Sequence, residues 1–402
     1  MSWNEVIFED IITDSAFGPR FSGDCYDEAG NVATLRTTDL SLDGYISLDT
    51  MPSARIDENK FESHFLQEGD LVISRSGRIG TTALFNGYHK PVLPGAFLIR
   101  FRLDLSKASP LFFRFYFNST EGQQRLLSVA QGAAQQNINI TNVRKLRVPL
   151  PPLVAQHKIT EFLYCYDNMI ETNRRRISLL EESIHLLYDE WFVKLRFPNA
   201  KLYPIIDGVP LGWSREKVTD VIAFNPKTSY EKNVLYPFVP MQALSETSMV
   251  IQSMEERVIS GGAKFQNEDT LFARITPCLE NGKIGFVQFL DEEKNVASGS
   301  TEFIVMRSKT VSPYWVYCLA RDEKFREYAI SSMVGSDGRQ RVNIKCFDTY
   351  LVLQPSYDVL GEFNAIVAPM FDKIQLLADM NQRLHEARNT FLPKLMSGEI
   401  QV

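Results

Sequence analysis

The residues from Leu153 to Trp191 form the stretch that most constrains the fold of this chain. Large side chains recur there in steps that alternate between three and four, which is the period of a helix packed along one stripe. Pro151 and Pro152 precede the stretch and Pro198 follows it, so the helix has defined ends. At about 1.5 Å per residue it would be roughly 55–60 Å long, longer than a small domain is wide. A stripe of this length needs a partner helix.

The second half of the sequence repeats the first. Residues 68–74 are echoed by residues 268–274, and from Asn139 and Asn343 onward the two halves keep a constant offset of 204 positions. Self-similarity at a fixed spacing is the signature of a duplicated structural unit. The sequence therefore predicts a tandem repeat of one globular unit followed by one long helix.

The two predicted helices would bury their stripes against each other as an antiparallel coiled coil, because one runs out to the second globular unit and the other runs back. The irregular step from Tyr166 to Ile170 recurs from Met370 to Ile374. The residues predicted to form the spacer and the subunit interfaces are Ile159, Tyr166, Ile170, Asn173, Ile177, Leu180, Leu187, Met370, Ile374, Leu377, Asn381, Leu384 and Phe391. Asn173 and Asn381 either fix the register from inside the seam or lie on a wet edge of it.

The expected fold class is mixed α+β, with two pseudo-repeated globular domains separated by two long helices that form an antiparallel coiled coil. The predicted boundaries are 1–152 for the first globular domain, 153–196 for the first long helix, 197–356 for the second globular domain, and 357–402 for the second helix and its tail.

Composition narrows the protein class without giving a function. No apolar run approaches the ~18–20 residues that a membrane-spanning helix needs. The first ten residues are acidic and mixed, so no secretory signal is expected, and the five scattered cysteines favour a reduced, cytoplasmic protein. The formal net charge of −6 does not indicate nucleic-acid binding. It does not exclude it either, because binding depends on a local basic face.

Motifs for catalysis, metal binding or cofactor binding are missing from the sequence. The glycine-rich stretches 76–80 and 281–285 match neither a phosphate-binding loop nor a dinucleotide fingerprint, and hairpin turns explain them best. The five histidines are isolated and there is no C-x-x-C, so no metal site is expected. Asn225-Pro226-Lys227 is the nearest approach to the Asn-Pro-Pro-aromatic motif of an adenine methyltransferase, and it does not match. A catalytic centre is therefore not predicted.

Polar side chains fall at corresponding loop positions of both repeats. The candidate DNA-contacting residues are Arg75, Ser76, Arg78, Gln135, Gln136 and Asn137 in the first repeat, and Arg274, Thr276, Lys283, Arg339, Gln340 and Arg341 in the second. Arginine and lysine suit guanine O6/N7 and phosphates, whereas glutamine and asparagine suit adenine. Taken singly, each is explained as a solvated loop residue or a turn former; the paired placement favours contact with DNA.

Five motifs occur in an order that resembles one known family. They are GDLVISRSGRIG (69–80), the segment 138–163, LLYDEWFVKLRFP (186–198), LFARITPCLENGKIG (271–285) and FLPKLMSGEI (391–400). The chain resembles, over essentially its whole length, the DNA-specificity subunit of a type I restriction-modification enzyme, a cytoplasmic phage-defence system. The resemblance implies two target-recognition domains, each recognising one half of a bipartite, asymmetric site in double-stranded DNA.

The resemblance also implies partners and cofactors. The long helices would set the gap between the half-sites and dock two modification (methyltransferase) subunits, which bind S-adenosylmethionine; restriction subunits with nuclease and translocase activity, using ATP and Mg, would then join. The chain itself would be non-catalytic and bind no cofactor. SRSG (74–77) stands where the second repeat has the longer ARITPCLENG (273–282), so the two loops need not contact DNA alike. The alternative function is a coiled-coil scaffold that assembles proteins without recognising DNA.

Overall fold

The computed structural model describes residues 3–131, 137–291, 295–335 and 338–400. The chain divides into two compact units. Unit 1 contains residues 1–169 and 383–402, and unit 2 contains residues 170–382. Each unit therefore includes a globular part and a segment of both long helices.

The described residues of unit 1 combine short strands with four short α-helices. Its strands are β1 (Glu5–Ile7), β2 (Ile12–Phe17), β3 (Val32–Leu35), β4 (Ser53–Ala54), β5 (Leu71–Ser74), β6 (Thr82–Leu84), β7 (Val92–Pro94), β8 (Leu98–Leu103), β9 (Ala130–Gln131), β10 (Asn137–Ile138) and β11 (Arg147–Pro149). Its short helices are α1 (Glu58–Phe61), α2 (Pro110–Asn118), α3 (Thr120–Ser128) and α4 (Ile140–Arg144). A four-stranded sheet in the order β2-β8-β5-β6 packs its apolar residues around the aromatic face of α2.

The first long helix, α5, runs from Leu153 to Tyr188 and continues as one π-helical turn, Asp189–Val193. The second, α9, runs from Tyr357 to Ser397. In the described part of the chain, neither these nor the shorter helices are long and apolar enough to cross a membrane.

Unit 2 repeats the plan of unit 1. Its strands are β12 (Ile205–Ile206), β13 (Val209–Pro210), β14 (Ser214–Lys217), β15 (Ile222–Phe224), β16 (Leu235–Val239), β17 (Glu255–Val258), β18 (Ala263–Phe265), β19 (Thr270–Ala273), β20 (Ile284–Phe286), β21 (Ala297–Gly299), β22 (Phe303–Ser308), β23 (Met333–Val334), β24 (Arg341–Val342) and β25 (Leu351–Gln354). Its short helices are α6 (Val218–Val221), α7 (Pro313–Arg321) and α8 (Glu323–Ser331).

The sheet topology confirms the duplication. The order β15-β22-β19-β20 in unit 2 corresponds to β2-β8-β5-β6 in unit 1, and all neighbours in both sheets are antiparallel. The parallel pair β16–β21 corresponds to the parallel pair β3–β7. The prediction of a mixed α+β fold built twice is therefore confirmed.

A buried ion pair is duplicated together with the sheet. In unit 1, Arg102 Nε and Nη2 each lie 2.8 Å from an oxygen of Asp70. In unit 2, Arg307 Nε and Nη2 lie 2.7 Å and 2.6 Å from the oxygens of Asp269. Both aspartates are 0% exposed. Because a buried carboxylate is costly without a partner, these bidentate pairs explain why the Gly-Asp or Glu-Asp turn before β5 and β19 recurs.

The long helices pair antiparallel. In unit 1, the ring of Phe162 in α5 lies 5.5 Å from the ring of Phe391 in α9. In unit 2, Asn173 Nδ2 donates a hydrogen bond to Asn381 Oδ1 at 3.0 Å. Within unit 1, Asp167, which follows Phe162 in α5, bonds to Arg388, which precedes Phe391 in α9. Within unit 2, Trp191 follows Asn173, and its ring lies 5.9 Å from that of Phe363, which precedes Asn381. Both units therefore confirm the predicted antiparallel direction. Both asparagines are buried (5% and 8% exposed), so the wet-edge interpretation is wrong.

The buried stripe differs from the predicted one near its irregular step. Ile159, Ile170, Ile177, Ile374 and Leu377 are buried as predicted. The other predicted apolar positions are half-buried at the edge of the seam: Tyr166, Leu180, Leu187, Met370, Leu384 and Phe391.

The helix turn next to the irregular step buries different residues from those predicted. Asp167 and Phe371 are buried where Tyr166 and Met370 were expected to be. The pattern missed this shift because it counts a charged residue such as Asp167 as solvent-facing.

Candidate nucleic-acid interface

In unit 1 the candidate site begins with the turn that follows β5. Gly77 and Gly80 both have positive φ angles (+73° and +82°), a conformation that glycine adopts without steric cost. Ser74 Oγ donates a hydrogen bond to the carbonyl oxygen of Arg78, which closes the turn. Arg78 is exposed. The sequence reasoning was right that these glycines form a turn.

Arg75 lies at the junction of three segments. Its backbone N–H donates to the carbonyl of Phe97 at 2.9 Å, and its own carbonyl accepts from Ile138 N at 3.0 Å. The guanidinium carbon lies 4.7 Å from the centre of the Phe17 ring, a cation–π arrangement. The ring contact positions the Arg75 side chain. The backbone hydrogen bond from Ile138 brings Asn137, the residue before it, close to Arg75 in the fold.

Unit 2 builds the same junction around Arg274. Its backbone N–H donates to the carbonyl of Glu302 at 3.0 Å, and its carbonyl accepts from Val342 N at 2.8 Å. The guanidinium Nη2 also donates to the carbonyl of Val342 at 3.3 Å. Arg75 and Arg274 therefore occupy equivalent positions of the duplicated fold.

The longer loop of unit 2 is tied to the segment 339–342. Thr276 N donates to the carbonyl of Gln340 at 3.1 Å, and Gln340 N donates back to Thr276 Oγ1 at 3.1 Å. The carbonyl of Lys283 accepts from Ala273 N at 3.2 Å, so the loop returns beside the strand it left. The structure thus brings Arg274, Thr276, Gln340 and Lys283 onto connected segments.

Arg341 is held by an acidic partner. Its guanidinium donates from Nε and Nη2 to the carboxylate of Glu302, with distances of 2.7–3.0 Å. Hydrogen bonding from Arg341 lowers the pKa of Glu302 below its ordinary range and raises the pKa of Arg341. The position equivalent to Glu302 in unit 1 is Phe97, whose side chain is 57% exposed. The two units therefore differ in chemistry beside their equivalent arginines.

A cavity of about 620 Å³ opens in unit 2 beside this junction. Its lining includes the cationic side chains of Lys227, Lys264 and Arg274, together with Asn225 and Ser229. Lys264 Nζ lies 5.5 Å from the ring centre of Tyr230 and donates to the carbonyl of Gly262 at 3.2 Å. Three cations around one cavity favour an anionic ligand such as a nucleic-acid backbone.

The sequence reasoning missed the two lysines of this cavity. It considered Asn225-Pro226-Lys227 only as a failed catalytic motif, and it did not single out Lys264. Lys227 and Lys264 are separated by 37 positions and meet only through the fold, so no local spacing indicated them.

The remaining predicted residues differ in their exposure to solvent. Ser76 is buried, with 6% of its surface exposed, and its contact with DNA stays a prediction. Asn137 is half-buried and Arg339 is exposed. Gln135 and Gln136 lie outside the described residues. In the described ranges, no group of three histidine, cysteine, aspartate or glutamate side chains is placed to hold a metal ion.

Comparisons with known proteins agree with this architecture. Residues 2–182 match the family model described as "Type I restriction modification DNA specificity domain". The chain is 22% identical over 302 residues to the type I restriction enzyme MjaIX specificity subunit of Methanocaldococcus jannaschii, which covers 72% of this chain and 68% of that protein. It is 18% identical over 355 residues to the type I restriction enzyme HindI specificity subunit of Haemophilus influenzae, covering 72% and 77% of the two proteins.

A solved structure shares the fold. The crystal structure of the type I restriction-modification system S subunit from M. genitalium matches with a TM-score of 0.58 at 15% identity, and the match covers 98% of this chain and 96% of that chain. Residues 2–182 are thus similar in sequence to the DNA specificity domain of type I restriction-modification systems, and the chain shares its fold with the S subunit from M. genitalium.

Proposed function

We propose that this chain recognises a bipartite, asymmetric sequence in double-stranded DNA, with each globular domain recognising one half-site. The observation that carries the proposal is the equivalent placement of Arg75 and Arg274. Each arginine follows an inner strand of its four-stranded sheet. Its carbonyl accepts a hydrogen bond from a second strand, from Ile138 N of β10 in unit 1 and from Val342 N of β24 in unit 2. A guanidinium donates two parallel hydrogen bonds to guanine or contacts a phosphate, so both positions suit DNA.

Chemical differences between the units support an asymmetric site. Unit 1 presents the exposed ring of Phe97 beside Arg75, whereas unit 2 has the Glu302–Arg341 pair beside Arg274. Base recognition depends on the side chains that reach the groove, and backbone contacts only position the protein. Two domains of one fold with different side chains would therefore recognise two different half-sites.

The proposed complex supplies the chemistry that this chain lacks. Two modification subunits would bring S-adenosylmethionine and methylate adenine, and restriction subunits would bring ATP and Mg. The exposed apolar residues of the long helices suit protein docking, for example Tyr164, Leu179 and Leu186 on α5 and Leu376 on α9, which are 48%, 61%, 54% and 51% exposed. In this proposal the continuous helices, of 36 and 41 residues, set the gap between half-sites.

A domain exchange tests the proposal in cells that carry the whole enzyme. Residues 1–150 are replaced by the same region of a related chain, and methylated adenines are mapped by single-molecule sequencing. We expect one half of the methylated motif to change while the other half and the gap stay the same. Exchange of residues 197–356 is the matched experiment and should change the opposite half.

An unchanged motif in both exchanges would refute DNA recognition by the globular domains and favour a scaffold. Methylation by the purified chain with S-adenosylmethionine, in the absence of other subunits, would refute its non-catalytic role.

A further inference from the structure

A buried charge cluster anchors the end of α9 in unit 1. Arg388 of α9 donates from Nη1 to Asp167 of α5 at 2.7 Å and from Nη2 to Asp43 at 2.8 Å. Arg114 of α2 donates to the other oxygen of Asp167 at 2.5 Å. The side chain of Asp167 is 0% exposed, and those of Arg114 and Arg388 are 3% and 11% exposed. All four members of the cluster lie within unit 1.

The equivalent cluster in unit 2 is apolar. The offset of 204 positions relates Asp167 to Phe371 and Arg388 to Ile184, and the aligned starts of α2 and α7, at Pro110 and Pro313, relate Arg114 to Tyr317. The rings of Tyr317 and Phe371 lie 5.6 Å apart. Ile184, Tyr317 and Phe371 belong to one buried hydrophobic cluster and are 1%, 5% and 0% exposed.

The buried asparagine pair is asymmetric in the same way. Asn173 of α5 bonds to Asn381 of α9 within unit 2. The same offset relates Asn173 to Leu377 and Asn381 to Ile177, both of which are buried and apolar. A hydrogen-bonded amide pair therefore stands at one seam position, and two buried apolar residues stand at the equivalent position.

The two units also differ in the charge at a contact between a long helix and a loop. The loops concerned follow the short helical turns at 37–39 in unit 1 and at 241–243 in unit 2. In unit 2, Glu181 of α5 accepts from Ser248 Oγ at 2.8 Å and from Met249 N at 2.6 Å. Its equivalent in α9 is His385, whose Nδ1 lies 4.0 Å from Asp43 in unit 1. In unit 2 the carboxylate therefore belongs to the helix, as Glu181 of α5. In unit 1 it belongs to the loop, as Asp43, and the helix contributes His385 of α9.

We propose that these positions select helix partners. Through them α5 pairs with α9 in preference to a second copy of α5, and α9 pairs with α5 in preference to a second copy of α9. We call this set of positions the pairing code. In a pair of two α5 helices, Ile184 would replace Arg388 beside Asp43 and Asp167, and Glu181 would face Asp43 with like charge. In a pair of two α9 helices, Arg388 would enter an apolar site without a carboxylate. A buried charge that loses its partner is strongly destabilising.

The asparagine positions also disfavour pairing of each helix with a second copy of itself. Self-pairing of α5 would set Asn173 against Ile177, and self-pairing of α9 would set Asn381 against Leu377. Each asparagine would then lose its hydrogen-bond partner while buried. A polar residue at one seam position is a known way to select helix partners and register at some cost in stability. The rejected partner is thus a second copy of this same chain.

A nicked full-length protein tests the code. A protease site is inserted in the exposed turn between Pro198 and Asn199, and the folded protein is cut into an N-half and a C-half that stay together. The cut protein is unfolded in urea and refolded, and native mass spectrometry counts N·N, N·C and C·C pairs. Unbiased association gives a ratio of roughly 1:2:1, whereas the code predicts at least about a tenfold excess of N·C over the self-pairs.

Two variants and one control show which residues cause the excess of N·C pairs. Asn173→Leu with Asn381→Ile makes the seam apolar throughout, and adding Arg114→Tyr, Asp167→Phe and Arg388→Ile copies the unit 2 cluster into unit 1. Each step should shift the pairs toward the statistical ratio. If the larger variant does not refold, the asparagine variant alone decides, because it exchanges two amides for apolar side chains of similar volume. The control Ile177→Leu with Leu377→Ile keeps both residues apolar and should leave the excess of N·C unchanged.

A statistical ratio in the unsubstituted protein, or an unchanged excess of N·C in the asparagine variant, would overturn the pairing code. Neither result depends on DNA recognition, so the proposal stands or falls separately from the proposed function.

Discussion

The guanidinium of Arg388, near the end of the second long helix, lies 2.7 Å from the carboxylate of Asp167 in the middle of the first. Both side chains are withdrawn from solvent, and Arg114 occupies the other carboxylate oxygen. Burial acts to lower the pKa of Arg388, but its hydrogen bonds to Asp167 and Asp43 outweigh this and raise it. Asp167 is thus the shared hydrogen-bond acceptor of two arginines from two other helices.

Asp167→Ala should strongly destabilise the protein. Removal of this carboxylate leaves Arg114 and Arg388 buried without their shared partner, which typically costs about 3–5 kcal/mol. Urea unfolding followed by circular dichroism measures the loss. Glu161→Ala, at an exposed position of the same helix, should change the free energy of unfolding by no more than about 0.5 kcal/mol. Equal effects of the two substitutions would show that the buried cluster contributes little.

Asn173→Ala should cost about 1–3 kcal/mol, because Asn381 is then buried with an unsatisfied amide. Asn173→Leu with Asn381→Ile should recover most of the loss, since no unpaired polar group remains. A double-mutant cycle in urea measures the coupling between the two positions. Additive effects of the single substitutions would contradict the observed hydrogen bond as a source of stability.

Arg75→Ala and Arg274→Ala should each weaken recognition of a different half-site. A guanidinium that donates to a base edge contributes about 1–3 kcal/mol of discrimination. Gel-shift titration of the assembled enzyme on DNA with one half-site randomised measures which half each arginine serves. Lys373→Ala, an exposed substitution on α9, is the control and should leave both half-sites unaffected. Loss of affinity that is uniform over all sequences would instead assign both arginines to phosphate contact.

Glu302→Gln should strengthen DNA binding, because it releases Arg341 from its ion pair. One additional cation facing the backbone should steepen the slope of log affinity against log salt by about 1. Hydrogen bonding from Arg341 lowers the pKa of Glu302, so the pair is formed above the usual value of 4.5 and is lost as the pH falls through the lowered pKa. The difference between the two proteins should therefore be full near neutral pH and vanish in acid.

Equal salt slopes for wild type and Glu302→Gln at neutral pH would show that Arg341 does not face DNA.

Glu181→Gln should stabilise the protein near neutral pH. Burial raises the pKa of Glu181, although hydrogen bonds from Met249 N and Ser248 act against it. A carboxyl with a raised pKa favours the folded state below its unfolded pKa, and this contribution is lost as the pH rises through the folded pKa. A neutral amide accepts the same two hydrogen bonds at any pH. Thermal unfolding at several pH values should show a gain for Glu181→Gln that disappears in acid, and a gain independent of pH would contradict the raised pKa.

The sequence alone determined the duplication, the two long helices and their direction. These features follow from local periodicity and from a constant offset, which depend only on the order of residues along the chain. The same periodicity placed Asn173 and Asn381 at seam positions, but it left open whether they are buried there. The sequence also placed the glycines in the turn after β5, because their backbone requirement is local.

Tertiary structure decided where the charges lie. Asp167, Arg114 and Arg388 each resemble a solvated residue in the sequence, and they become a buried cluster only because three helices meet there. Lys227 and Lys264 line one cavity because the fold brings their two segments together, and Ser76 is buried although the sequence suggested a solvated loop residue. Burial of a charge is a property of the surroundings that the fold assembles from distant segments, so no local pattern of residues specifies it.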